Sequence, residues 1–68
     1  MTFGERLRQA RLEREMTQQE LAEVSGIAYN SIKKYEQGRH EPGLFCATCL
    51  AIALGVSLDW LAGIEEKR

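Results

Sequence analysis

The stretch QQELAEVSGIAYNSIKKYEQ, from Gln18 to Gln37, contains two short helical patterns of similar length with a break between them. Apolar residues recur on one side of each pattern: Leu21, Ala22 and Val24 in the first, and Ile32 and Tyr35 in the second. The break, Ser25-Gly26-Ile27, contains a glycine, which suits the left-handed backbone that ends a helix and allows a tight turn. Because Ala22 is small, the two helices can cross closely. We therefore predict two packed helices joined by a tight turn.

The rest of the chain carries three further helical patterns. Phe3, Leu7 and Ala10 recur at helical spacing near the N-terminus, and Thr17 and Glu20 stand at the spacing of a capping box. The chain contains no segment with the pattern of a β-strand. We predict an all-α, compact five-helix bundle that forms one domain over residues 1–68, with a tail at 64–68 that frays. The predicted helices cover residues 3–15, 18–24, 28–37, 44–54 and 58–61.

Length and composition limit the classes of protein to which the chain can belong. Sixty-eight residues make a single domain, and 44% apolar residues are typical of a globular chain. No apolar run approaches the roughly 18 residues of a membrane span, and the N-terminus lacks the apolar core of a signal peptide. We therefore expect a cytoplasmic protein that makes no contact with a membrane.

The formal net charge of −1 argues against a nucleic-acid-binding protein at first sight. The distribution of charge matters more than the sum, however. Lys33, Lys34 and Arg39 cluster with His40 at and just after the third predicted helix. A local basic face is therefore compatible with a nearly neutral domain.

Three segments resemble one known family: TQQELAEVSGI (17–27), IKKYEQGRHEP (32–42) and LGVSLDWL (54–61). They are similar to the DNA-binding domains of the phage lambda-type repressor and Cro family, and the likeness extends from Phe3 to Gly63. The resemblance implies a lambda-repressor-like fold in which residues 18–37 form a helix-turn-helix. The second helix of such a unit lies in the major groove of double-stranded DNA.

The N-terminal residues of that second helix are the ones that reach base edges. We expect the exposed face to contain Ala28, Tyr29, Asn30 and Lys34. Asn30 can pair with adenine, Lys34 can donate to guanine, and Ala28 offers a methyl group to thymine. Tyr29 can contact either a thymine methyl or a phosphate. Two further residues, Ser31 and Lys33, are assigned to the DNA backbone.

Other residues are expected to contact phosphates. Gln18 begins the second predicted helix, where its backbone N–H and its side-chain amide can both meet a phosphate at the positive end of the helix dipole. Similar proteins use the loop after the third helix in the same way, which implicates Arg39 and the N–H groups of Gly43 and Leu44. His40 lies in the same loop, but a lone loop histidine is more often simply solvated.

The resemblance also pairs an arginine late in the first helix with a glutamate late in the third, here Arg11 and Glu36. Such a pair would hold the third helix to the scaffold and would not contact DNA. The chain departs from its relatives at Glu15, where they commonly carry glycine. From this difference we predict that the first helix simply runs longer, to Glu15.

A second departure lies in the fourth helix, whose outer face is usually polar. This chain has Phe45, Cys49 and Ile52 at positions i, i+4 and i+7, and such an exposed apolar stripe usually marks a partner surface. Trp60 is a second candidate anchor. We predict a two-fold homodimer that uses the last helix, with the fourth helix contributing. The alternative is that Phe45 and Ile52 enter the core and that Trp60 covers it.

Cys46 and Cys49 form a C-x-x-C motif. A structural zinc site needs four ligands, and only His40 and an acid could complete this one. The motif also lacks the strand-to-helix context of a redox centre. We interpret both cysteines as small apolar filling and expect no metal and no cofactor. Because the sequence contains no nucleophile–base constellation either, we do not expect an enzyme.

The leading hypothesis is a sequence-specific DNA-binding transcription regulator of bacterial or phage type. We expect a repressor that binds a palindromic operator as a dimer, with half-site centres about 34 Å apart. One alternative is an antitoxin or a restriction-modification controller of the same fold, whose apolar stripe would contact a protein partner. Another alternative is a protein-interaction module that has lost DNA binding, for which the net charge of −1 is the best argument.

Overall fold

The computed structural model describes residues 1–64 and consists of five helices in that range, without a strand. They are α1 (Phe3–Glu13), α2 (Gln18–Ser25), α3 (Tyr29–Glu36), α4 (Leu44–Leu54) and α5 (Leu58–Ala62). The predicted all-α class and the number of helices are confirmed. Most of the tail that we expected to fray, 65–68, lies outside the described residues.

Capping boxes define where the first two helices begin. The Thr2 N–H donates to Glu5 Oε1 at 2.8 Å, and the Glu5 N–H donates to Thr2 Oγ1 at 3.2 Å. Thr17 and Glu20 make the same reciprocal pair at 2.8 and 3.0 Å. Each pair satisfies two backbone groups that a helix end would otherwise leave open, which fixes both start points locally. The predicted box at Thr17 is confirmed.

The prediction that the first helix runs to Glu15 is wrong. α1 ends at Glu13, and Glu15 adopts a left-handed backbone with φ of 56°. This turn brings the chain back, so that the Met16 N–H donates to the Arg11 carbonyl at 3.1 Å and the Arg11 guanidinium donates to the Met16 carbonyl at 2.8 Å. Glycine adopts this conformation more readily than glutamate, which fits the glycine that the family resemblance implies at this position.

The core is formed by one face of every helix. α1 packs against α3 and α5, α2 packs against α3 and α4, and α4 also packs against α5. The fully buried side chains come from all five helices: Leu7, Leu21, Ile32, Leu50, Leu54 and Leu61. Phe3 and Tyr35 meet edge to face beside this cluster, with ring centroids 6.4 Å apart. Helices α2 and α3, which the opening stretch forms, are therefore each packed against two other helices.

Trp60 is not the exposed anchor that we predicted. Only 3% of the residue is exposed, because its ring belongs to the core cluster. The Arg6 guanidinium carbon lies 5.4 Å from the ring centroid and covers it from the side of α1. A side chain used in this way by its own domain offers no surface to a partner, so the prediction of Trp60 as a contact residue is wrong.

Gly4 allows the close approach of α1 and α3. A Cβ atom built on Gly4 would overlap the carbonyl oxygen of Tyr35 and would lie 3.0 Å from that of Glu36. Both obstacles are backbone atoms, which cannot move without displacing the end of α3. The glycine therefore sets the distance between α3 and the helix that supports it.

Candidate nucleic-acid interface

The N-terminus of α3 is open. Ala28 is the N-cap residue, and no side chain caps the helix. The first N–H groups of a helix have no partner within it, and the first turn of α3 contains no acidic residue. The positive end of the helix dipole is therefore available to a negatively charged group outside the molecule. The helix begins one residue later than predicted, at Tyr29, so Ala28 flanks its first turn.

The outward face of α3 is polar and basic. Asn30 and Lys34 are exposed, 41% of Tyr29 is exposed, and Ser31 and Lys33 are half-buried. The Lys33 ammonium group lies 4.7 Å from the centroid of the Tyr29 ring. Lys33 thus occupies a defined position beside Tyr29, whereas Lys34 extends from the open face.

A shallow cleft of about 170 Å³ brings the predicted residues of this face together. It is lined by Asn30, Lys33, Lys34, Gln37 and Arg39. Gln37 is absent from the contacts predicted above, although Asn30, Lys34 and Gln37 follow the i, i+4, i+7 spacing of one helix face. That spacing is the signal by which it could have been found.

Arg39 is placed by the end of α3. Its N–H donates to the Lys34 carbonyl at 2.9 Å, which wraps the chain around Gly38 in the left-handed conformation. The Arg39 guanidinium then donates to Gln37 Oε1 at 3.2 Å. The guanidinium is therefore held at the edge of the basic face.

A buried ion pair attaches α3 to the scaffold. Arg11 donates to both carboxylate oxygens of Glu36, at 2.7 and 3.0 Å, and the two side chains are only 9% and 4% exposed. Gln18 joins them, because its Nε2 donates to Glu36 Oε1 at 3.1 Å. One carboxylate thus connects α1, α2 and α3.

This network changes what Gln18 can offer to DNA. Its amide group is already bonded to Glu36 and the residue is half-buried, so its side chain faces the protein. Its backbone N–H remains at the N-terminus of α2, where the cap from Thr17 satisfies the N–H of Glu20 and not that of Gln18. Two groups of Gln18 were expected to contact phosphate. The backbone N–H, and not the side-chain amide, remains available for such a contact.

The loop after α3 leads to a second open helix N-terminus. Gly43 is the N-cap of α4, and no side-chain hydrogen bond closes this end. Gly43 and Leu44 are exposed, and His40 is exposed in the same loop. The two residues whose N–H groups are predicted to contact phosphate thus lie on the surface.

The predicted partner patch is only partly exposed. Phe45 is 78% exposed and Ile52 is 75% exposed, whereas Cys49 between them is half-buried. The opposite side of α4 enters the core through Ala47, Leu50, Ala51 and Leu54. α4 is therefore apolar on both sides, and within residues 1–64 nothing covers the outer one.

Cys46 and Cys49 of α4 are half-buried, and Cys46 lies beside Tyr35 of α3. Burial raises the pKa of the Tyr35 hydroxyl above its ordinary value, and the neighbouring Cys46 adds to the shift. Cys46 and Cys49 are both free thiols. In the part of the chain that the structure describes, no three potential ligand side chains come close enough together to hold a metal ion.

A helix-turn-helix family model matches residues 7–61, which includes every helix described above apart from the first turn of α1 and the end of α5. The chain belongs to the helix-turn-helix family of the lambda-repressor and Cro type. It is 44% identical over 59 residues to the SPbeta prophage-derived uncharacterized HTH-type transcriptional regulator YonR of Bacillus subtilis, covering 87% of this chain and 55% of that protein. The chain spans about half the length of these curated relatives, 55% of YonR and 45% of the immunity repressor protein of Bacillus phage phi105.

Two solved structures share the fold. The DNA-binding domain of the P22 C2 repressor superposes with a TM-score of 0.87 at 27% identity, over 100% of this chain and 92% of that domain. The restriction-modification controller protein C.AhdI of Aeromonas hydrophila superposes with a TM-score of 0.83 at 32% identity, over 87% and 89% of the two chains. Of the helices in residues 1–64, none has the length and apolar character needed to cross a membrane.

Proposed function

We propose that the chain binds double-stranded DNA sequence-specifically and acts as a transcription regulator, with α3 in the major groove. The observation that carries this proposal is the open, exposed N-terminal half of α3, fixed to the scaffold by a buried ion pair. A helix held in this way presents the same side chains each time it docks, and base discrimination requires such preorganisation.

The side chains of the open face differ in chemistry and therefore in role. Asn30 is suited to adenine, Lys34 to guanine and the Ala28 methyl group to thymine. Arg39, Ser31 and the N–H groups of Gln18 and Gly43 are suited to phosphates, which position the protein without reading sequence. A net charge of −1 does not exclude such binding, because the distribution of charge matters more than the sum and Lys34 and Arg39 lie on one face.

The outer face of α4 supports a homodimer. Phe45 and Ile52 are large, apolar and exposed on a helix whose other side is already buried. A two-fold dimer would present two copies of α3 to a palindromic operator, with half-site centres about 34 Å apart. A repressor acting in the cytoplasm by excluding polymerase fits this arrangement, and the likeness to the P22 C2 repressor supports it. We assign the chain no catalytic step.

A restriction-modification controller or an antitoxin is the second candidate, favoured by the 32% identity to C.AhdI. Such a protein would use the same α3 face on DNA, and an antitoxin would use the stripe of Phe45, Cys49 and Ile52 on its toxin. The identity of the genes next to the gene for this chain would distinguish a controller or antitoxin from a repressor. A protein-interaction module without DNA binding is the remaining alternative, and it predicts that no DNA sequence is selected from a random library.

The direct test is selection from a random DNA library, followed by mobility shifts at low and high salt. We expect one palindromic sequence to be enriched, and its binding to survive excess competitor DNA and to weaken steeply with salt. Lys34→Ala should change the preferred base at one position of each half-site, by about 1–3 kcal/mol. Arg39→Ala should weaken binding to all sequences alike and reduce the salt dependence. Equal weakening on every sequence by both variants would contradict this division of roles.

A further inference from the structure

Lys33 does not extend from α3 as a free cation. Its ammonium group lies 4.7 Å from the centre of the Tyr29 ring, one helical turn before it. Helical side chains point back toward the N-terminus, so a residue at i+4 naturally covers the residue at i. Within residues 1–64, no carboxylate lies within ion-pair distance of Lys33. The electron-rich face of the Tyr29 ring is therefore the group that attracts this ammonium.

The contact places the ammonium group of Lys33 against the ring at the start of the proposed recognition helix. Tyr29 is the first residue of α3 and remains 41% exposed, so the cation covers part of the ring and leaves the rest open to solvent. The first residues of a docked recognition helix are those that reach base edges. In the major groove of unmodified DNA, the C5 methyl of thymine is the one apolar group among donors and acceptors.

We propose that Lys33 is a positioning residue for Tyr29, and that the ring it holds reads a thymine methyl group. The inference rests on the proposed function and deepens it, because it names one base and the pair of residues that selects it. It also moves Lys33 away from the phosphate contact that its charge suggests. Tyr29 then discriminates through its ring, and its hydroxyl is dispensable.

Replacing thymine by uracil tests the proposal, because this change removes only the methyl group. The 68-residue chain is first used to select its preferred site, and each thymine of that site is then replaced singly by uracil. We expect one thymine in each half-site to lose about fourfold in affinity, the value of one buried methyl group. Tyr29→Phe should keep this discrimination, since the ring is retained.

Variants of Lys33 separate positioning from phosphate binding. Lys33→Met keeps the length of the side chain but removes the charge, and we expect it to abolish most of the uracil discrimination and to weaken binding roughly two- to fivefold. The dependence of affinity on salt should stay as in the parent. Lys33→Arg should restore discrimination, because a guanidinium also stacks on aromatic rings. The matched control, Lys34→Met, removes the same charge one residue away and should keep the uracil effect at the Tyr29 thymine.

Three outcomes would overturn the proposal. If Lys33→Met lowers the salt slope by about one and leaves uracil discrimination intact, Lys33 is a phosphate ligand. If the parent binds its site equally well with uracil at every position, Tyr29 does not read a methyl group. If the chain selects no sequence at all, the proposed function fails and this inference fails with it. Thermal melting of each variant verifies that it is folded.

Discussion

Helices α3 and α4 are both held by one buried face, yet their outer faces differ completely. α3 exposes Asn30 and Lys34 next to a tyrosine, and a buried ion pair anchors its far end. α4 exposes Phe45 and Ile52 and has no such anchor among the described residues. A polar, fixed face suits a charged and hydrated partner such as DNA, whereas an apolar face gains free energy when another protein covers it. The buried face of each helix determines its position in the fold, and the outer face determines which class of molecule it can bind.

The largest effect should follow from removing the anchor of α3. Glu36→Ala leaves the Arg11 guanidinium buried without its carboxylate and should cost about 3–5 kcal/mol of stability. For a domain of this size we expect a fall of more than about 12 °C in melting temperature, measured by circular dichroism. The double variant Arg11→Met, Glu36→Leu should recover most of the loss, because it leaves no unpaired charge. Melting of Glu36→Ala within a degree of the parent would mean that the pair adds little.

The next effect concerns the spacing between α1 and α3. Gly4→Ala places a methyl group against the backbone carbonyls at the end of α3 and should destabilise the domain by about 1–3 kcal/mol. Urea unfolding measures this loss. The matched control is Gly43→Ala, whose new methyl group enters open space and should cost less than about 1 kcal/mol, as a poorer N-cap. Equal losses in the two variants would show that the close approach is not what Gly4 provides.

The outer face of α4 should respond through assembly and not through stability. Phe45→Ser should weaken self-association at least about tenfold, because each protomer loses one buried aromatic side chain. Its melting temperature, measured at a concentration where the chain is monomeric, should stay near that of the parent. Sedimentation equilibrium follows the association, and Val24→Ser, at another exposed apolar residue, serves as the control. A parent chain that is monomeric at high micromolar concentration removes the basis for the dimer.

The smallest effect should come from the cap of α1, which touches neither outer face. The Thr2 N–H bonds the Glu5 carboxylate and lowers its pKa below the ordinary value. A carboxyl group with a lowered pKa stabilises the fold at pH values above its ordinary pKa. This contribution is lost as the pH falls through the lowered pKa of the folded state. Glu5→Gln should therefore melt slightly below the parent at pH 7, and the difference should shrink toward zero near pH 3. A constant difference at both pH values would show that the charge is not involved.

The parts of the fold that were predictable are those with signals only a few residues apart. Thr17 and Glu20 define the start of α2 by themselves, and Gly26 marks its end. The exposed residues of α3 were predicted from the resemblance to helix-turn-helix domains, and helical spacing contained the unused signal for Gln37. The end of α1 was mispredicted because no glycine marks the left-handed turn at Glu15 in the sequence. Contacts between Arg11 and Met16 stabilise this turn.

The sequence by itself determined the five helices and the turn between α2 and α3. These features depend on caps, glycines and periodicity, which act over one or two helical turns. Only the tertiary structure decided that Trp60 lies in the core under Arg6 and that the Gln18 amide is bonded to Glu36. Burial and pairing of that kind depend on which surfaces the packed helices bring together. A long polar or aromatic side chain can either pack within the protein or contact a partner, and the neighbouring helices determine which of the two occurs.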